Sequence, residues 1–124
     1  MPLCAVFFTT MLCVQDATAQ KLLRQANEFY SKRDQEGMAA KAIEAYKKTC
    51  VIDEECVEAC WKLARTYYWV GSHEKESLKA APYYRDGIEY LKIAVSIDEE
   101  CIASHYWLGA MYGLFGQSKG IMQS

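Results

Sequence analysis

With 124 residues, 52% of them apolar and 24% charged, the chain suits one small folded domain with a single core, not a disordered tail. A formal net charge of −2 supplies no basic field for gathering phosphates, which argues against nucleic acid as a partner.

The first nineteen residues stand apart. Leu3 to Val14 is an uncharged apolar run, and Ala17-Thr18-Ala19 follows it closely. This pattern reads as a signal peptide cleaved after Ala19, which would deliver residues 20–124 to a periplasm or the cell exterior. The run is too short to cross a bilayer as a helix, for which about 20 residues are needed. No Lys or Arg precedes it, so a buried helix is the competing reading. Neither Cys4 nor Cys13 has the setting of a lipoprotein cleavage site, and no lipid anchor is expected. Cleavage would leave Cys50, Cys56, Cys60 and Cys101, an even number that permits disulfides in three pairings.

From Lys21 to Ser31, apolar residues at Leu22, Leu23, Ala26, Phe29 and Tyr30 recur at helical spacing. Ser31 to Gly37 is charged and ends in glycine, a loop, and Met38 to Val51 resumes with Ala39, Ala42, Ile43, Tyr46 and Cys50 on one face. The two helices form a first hairpin. Asp53 is then expected to cap a helix over Glu54–Val70, with Glu54 and Glu55 on its positive end and Ile52 stapled to Val57. Cys60, Leu63, Ala64 and Tyr67 face inward on it, and Gly71 ends it. Ser72 to Ala81 is polar, an insertion made of a loop and an added helical turn. Pro82 is placed at the first position of the next helix, whose buried stripe is Tyr84, Gly87, Ile88, Leu91, Ala94 and Val95. Another helix runs over Glu99–Phe115, capped by Asp98, and Ser118 to Ser124 begins one more.

These elements repeat at a spacing of about forty-five residues. Ile52-Asp53-Glu54-Glu55-Cys56 returns as Ile97-Asp98-Glu99-Glu100-Cys101, and Ile43, Leu63, Tyr67 and Gly71 return as Ile88, Leu108, Tyr112 and Gly116. About eleven of thirty aligned positions are identical. The fold class is therefore all-α, helix pairs over about 20–52 and 53–97 and an incomplete third over 98–124. A repeat cannot bury its apolar face alone. Leu108, Met111, Tyr112 and Phe115 are expected to lack a covering helix, either because the chain is a fragment or because another chain covers them in an oligomer.

Leu63-Ala64 with Tyr67, Gly87 with Leu91 and Ala94, and Leu108-Gly109 with Tyr112 resemble the tetratricopeptide repeat. Glu54 and Glu99 stand where that family usually has proline, and Asn27 occupies a small-residue position. The segments Trp61–Tyr68 and His105–Gly113, with Gly116 to Ile121, are similar to exported bacterial tetratricopeptide proteins. They also look like the regulator of microtubule dynamics proteins and, more loosely, the periplasmic accessory component of TRAP transporters. The resemblance implies a short right-handed solenoid with a non-enzymatic role in binding or scaffolding. It also implies a concave groove lined by first-helix residues, which here selects Glu58, Trp61, Arg65, Tyr68, Trp69, Ala103, Tyr106 and Ala110.

Aromatic rings around one guanidinium suit an extended peptide, or an apolar small molecule bearing a carboxylate. The competing reading is that Trp61, Trp69 and Tyr106 complete the packing between repeats and that Arg65 pairs with Glu58 or Glu89. Cys50 at a helix end lies within reach of Cys56 or Cys60 for a disulfide, beside the alternative of buried free thiols. Zinc shared by Cys56, Cys60, Cys101 and His105 is disfavoured, because equivalent points on neighbouring helices lie about 10 Å apart. His73 and His105 have no nucleophile beside them in sequence, and residues 116–120 lack the ending of a phosphate loop. No catalysis, cofactor or metal is expected. A protein or peptide partner is, with a transporter accessory carrying a small molecule as the alternative and an enzyme whose site is not visible in this sequence as a third.

Overall fold

The computed structural model describes the backbone of residues 2–118 and the side chains of residues 17–118. Five α-helices follow one another: α1 (Pro2–Ser31), α2 (Met38–Ile52), α3 (Val57–Ser72), α4 (Ser77–Ile97) and α5 (Ile102–Ser118), with no strand among the described residues. Each helix packs on its successor and α3 also touches α5. This is the all-α repeat architecture the periodicity calls for: hairpins α1–α2 and α3–α4, with α5 opening a third. The further helix begun at the C-terminal end, over 119–124, lies outside the described residues, as do the side chains of Leu3 to Val14. Among the described residues, no helix is long and apolar enough to cross a membrane.

Small residues set the distances between axes. Ala26, Ala42, Ala59, Ala64 and Ala94 are fully buried, and the volume they leave is filled by Tyr46, Leu63, Leu91 and Met111. Gly87 shows the closest approach. A Cβ built there would run into the sulfur and terminal methyl of Met111 on α5 and would touch the Ala64 backbone on α3. Met111, expected to be uncovered, is instead shut beneath α4 because Gly87 leaves it a slot. At Gly37, φ is 81°, and the left-handed conformation lets the loop after α1 turn directly into α2.

Two local expectations need correction. Asp53 and Asp98 do not cap the following helices. Each closes a turn upon itself: Asp53 Oδ1 accepts from the Glu55 N–H at 3.1 Å, and Asp98 Oδ1 from the Glu100 N–H at 3.0 Å. The carboxylate is thereby committed two residues on, and α3 and α5 start later, at Val57 and Ile102. With the cap position moved to Cys56, the stapling of Ile52 to Val57 has no basis. Nor does Pro82 open α4. The helix starts at Ser77, and Pro82 lies inside it. Burial of Ala80 and Ala81 extends the helix backward through the insertion and outweighs the hydrogen bond that proline cannot donate.

Candidate functional site

Helices α1, α3 and α5 are the first helices of their hairpins, and their side chains meet along one face. Between α1 and α3, the Arg65 guanidinium lies 3.8 Å from the centre of the Tyr30 ring and 5.3 Å from that of Trp61. Arg33, just past the end of α1, lies 4.3 Å from the same Tyr30 ring and donates from Nη1 to the Tyr30 carbonyl at 3.1 Å. Neither arginine belongs to an ion pair among the described residues: Glu58 is taken by Lys62 at 2.6 Å and Glu89 by Lys92 at 3.3 Å. The expected pairing of Arg65 with Glu58 or Glu89 is therefore corrected. Both guanidinium groups also keep a buried Nε that lacks a hydrogen-bond partner.

Beneath this patch the three helices α1, α2 and α3 are joined by polar contacts. The Tyr46 hydroxyl donates to Asn27 Oδ1 at 2.7 Å, and Lys62 Nζ donates to the same oxygen at 3.2 Å. Burial, opposed in part by the charge of Arg65, pushes the Tyr46 hydroxyl up to about 12. It therefore remains a donor at neutral pH.

Further along, Tyr68 meets Trp107 of α5 with ring centres 5.0 Å apart, and Trp107 meets the edge of Tyr106 at 5.2 Å. Tyr106 is exposed, at 66%. The sequence-selected residues thus fall into two clusters, Trp61 with Arg65 and Tyr68 with Tyr106. Trp69 stands off both. One residue beyond Tyr68, it is turned toward the loop after α1, where it stacks on His73 at 4.0 Å and helps line a depression of about 380 Å³ with Arg33, Gly37 and Tyr83.

Three participants escaped the sequence reading. By spacing alone Tyr30 belongs to a packing stripe and Arg33 to a loop, because α1 and α3 are not contiguous in sequence. Trp107 lies outside the selected first-helix positions, although the repeat register aligns it with Lys62, which faces Asn27 on α1. A different feature lies on the opposite side, between the second helices α2 and α4. There Lys47, Tyr67 and Asp86 line an open cleft of about 720 Å³ together with Leu78, Pro82 and Tyr83. Contact with the Tyr67 hydroxyl pushes the Lys47 ammonium up from its ordinary value. At the corner between α2 and α3, Cys50 and Cys60 are free thiols with their sulfurs 3.8 Å apart.

The family model for regulator of microtubule dynamics protein 1-3 matches residues 22–123, which is all but the first 21 residues and the last one. No curated protein matches the chain in direct comparison.

Proposed function

Since the chain belongs to the regulator of microtubule dynamics protein 1-3 family, we propose that it is a non-enzymatic helical interaction domain that docks an acidic, aromatic-bearing polypeptide segment on the α1–α3–α5 face. The observation that carries this reading is the pair of arginines flanking Tyr30. Each has a buried, unbonded Nε, and among the described residues neither forms an ion pair with a carboxylate. A guanidinium fork matches a carboxylate in two-point geometry, and charge-assisted bonds of that kind are about twice as strong as neutral ones. Trp61, Tyr68, Trp107 and Tyr106 supply flat apolar surface alongside, the kind that dominates peptide recognition. The family description names regulation of a protein polymer, which agrees with a protein partner over a small molecule. The cleft of about 720 Å³ between α2 and α4 is not an enclosed cavity and so suits a retained small ligand less well.

Selection of a random peptide library on the full chain tests this reading. Enriched peptides are expected to carry Asp or Glu next to an aromatic residue. The double change Arg33→Gln, Arg65→Gln should weaken them at least about tenfold, the loss of one to two charge-assisted bonds, with circular dichroism unchanged. Enrichment without acidic residues, or binding indifferent to both arginines, would refute it. Export with cleavage after Ala19 remains part of the proposal and rests on the apolar run and the Ala17-Thr18-Ala19 site.

A further inference from the structure

We infer that Cys50 and Cys60 form a redox-modifiable dithiol, which a small disulfide oxidant converts into an intramolecular bridge between α2 and α3, with Cys56 left out. The sequence allowed either Cys56 or Cys60 as the partner of Cys50, and the geometry chooses between them. The Cys50 and Cys60 sulfurs are already in contact at 3.8 Å, so closing to the bonded distance of about 2.05 Å takes a shift of under about 2 Å. Cys56 lies between them in sequence at the start of α3, and its sulfur interacts with theirs only through charge at longer range, with no hydrogen bond to either among the described residues.

Exposure sets the order of events. Cys60 is buried at 3%, whereas Cys50 is only half-buried. An incoming disulfide therefore meets Cys50 first. The Cys50 sulfur, as thiolate, attacks one sulfur of the oxidant; its S–S bond breaks, a mixed disulfide forms and one thiolate leaves. Cys60 then attacks the Cys50 sulfur of that mixed disulfide, forming the internal bond and releasing the second thiolate. Two protein thiols are oxidised, one disulfide is reduced to two thiols, and the two protons from the cysteines pass through solvent to the departing thiolates. In the reduced pair, the hydrogen bond to Cys60 and burial push the Cys50 thiol up, so the first attack quickens as pH rises. The bridge would span the corner that joins the first hairpin to the second, one residue from Trp61.

Trypsin releases Cys50, Cys56 and Cys60 together on residues 49–62, separate from the other three cysteines. The full chain is treated with oxidised glutathione, alkylated and mapped by mass spectrometry, with a second digestion at acidic residues to part Cys50 from Cys60. The expected result is a 49–62 peptide lighter by two hydrogens with one alkylated thiol, at Cys56, and Cys50 still tied to Cys60 after the second cut. Cys56→Ser should bridge as before, and Cys60→Ser should stop at a glutathione adduct on Cys50. A bridge that includes Cys56, three alkylated thiols after oxidation, or an adduct on Cys56 in the Cys60→Ser chain would overturn the inference.

Discussion

Asn27→Ala tests the joint beneath the arginine patch. In the native fold the amide oxygen of Asn27 accepts from the Tyr46 hydroxyl at 2.7 Å and from Lys62 Nζ at 3.2 Å, and Tyr46 is wholly inaccessible to solvent. Removing the amide strands a buried hydroxyl without an acceptor, which costs about 1–3 kcal/mol. Lys62 suffers less, because Glu58 holds it at 2.6 Å and that carboxylate is half-exposed. The expected loss is therefore ~2 kcal/mol. Tyr46→Phe removes the donor and its need together, and Asn27 keeps Lys62, so about 1 kcal/mol is expected. In the double variant neither group is stranded. Its loss should fall short of the sum of the two by ~1 kcal/mol, a coupling that independent sites do not show. Urea unfolding of the four chains, followed by far-UV circular dichroism, gives all the terms. Additivity within about 0.5 kcal/mol, or a neutral Asn27→Ala, would show that this contact does not hold the helices together.

Gly87→Val should destabilise the fold by about 1–3 kcal/mol, because the new side chain enters the space of Met111, and pairing it with Met111→Ala should recover part of that loss in thermal melts. The Tyr46 hydroxyl ionises near 10 when unfolded and is pushed up to about 12 when folded. Its contribution is therefore complete below pH 10 and disappears as pH rises toward 12, where the unfolded chain has released a proton that the folded chain retains. Unfolding titrations should show the wild type losing stability relative to Tyr46→Phe across that interval, and parallel curves would refute the assignment. Expressed from Met1 in a cell that exports proteins, the chain should yield a mature N-terminus at Gln20 on sequencing, whereas recovery of Met1 would remove the case for cleavage.

The helix pairs were legible because apolar spacing and a forty-five-residue echo report burial directly, and α2 begins at Met38 where the sequence places it. Helix starts were less so. An aspartate ahead of a helix can cap it or close a turn of its own, and Asp53 and Asp98 do the second. Proline favours a first helical position, but burial of Ala80 and Ala81 carries the start of α4 back to Ser77. At the candidate site, Trp61 and Arg65 could be chosen from a single helix. Their companions Tyr30 and Arg33 lie some thirty residues away, a proximity that comes only from stacking the hairpins. Asn27, which departs from the small-residue pattern, owes its identity to partners on two other helices.

The two corners that join hairpin to hairpin are copies in space as well as in sequence. At each, the aspartate N–H reaches back to the carbonyl four residues earlier, at 2.8 Å for Asp53 and 3.0 Å for Asp98, and its own carbonyl receives the cysteine N–H at 3.2 and 3.3 Å. The bend from one unit to the next is thus encoded within a few consecutive residues and owes little to distant packing. Tandem duplication of residues 53–97 would lengthen the array at constant pitch, each added unit docking on its predecessor as the second docks on the first.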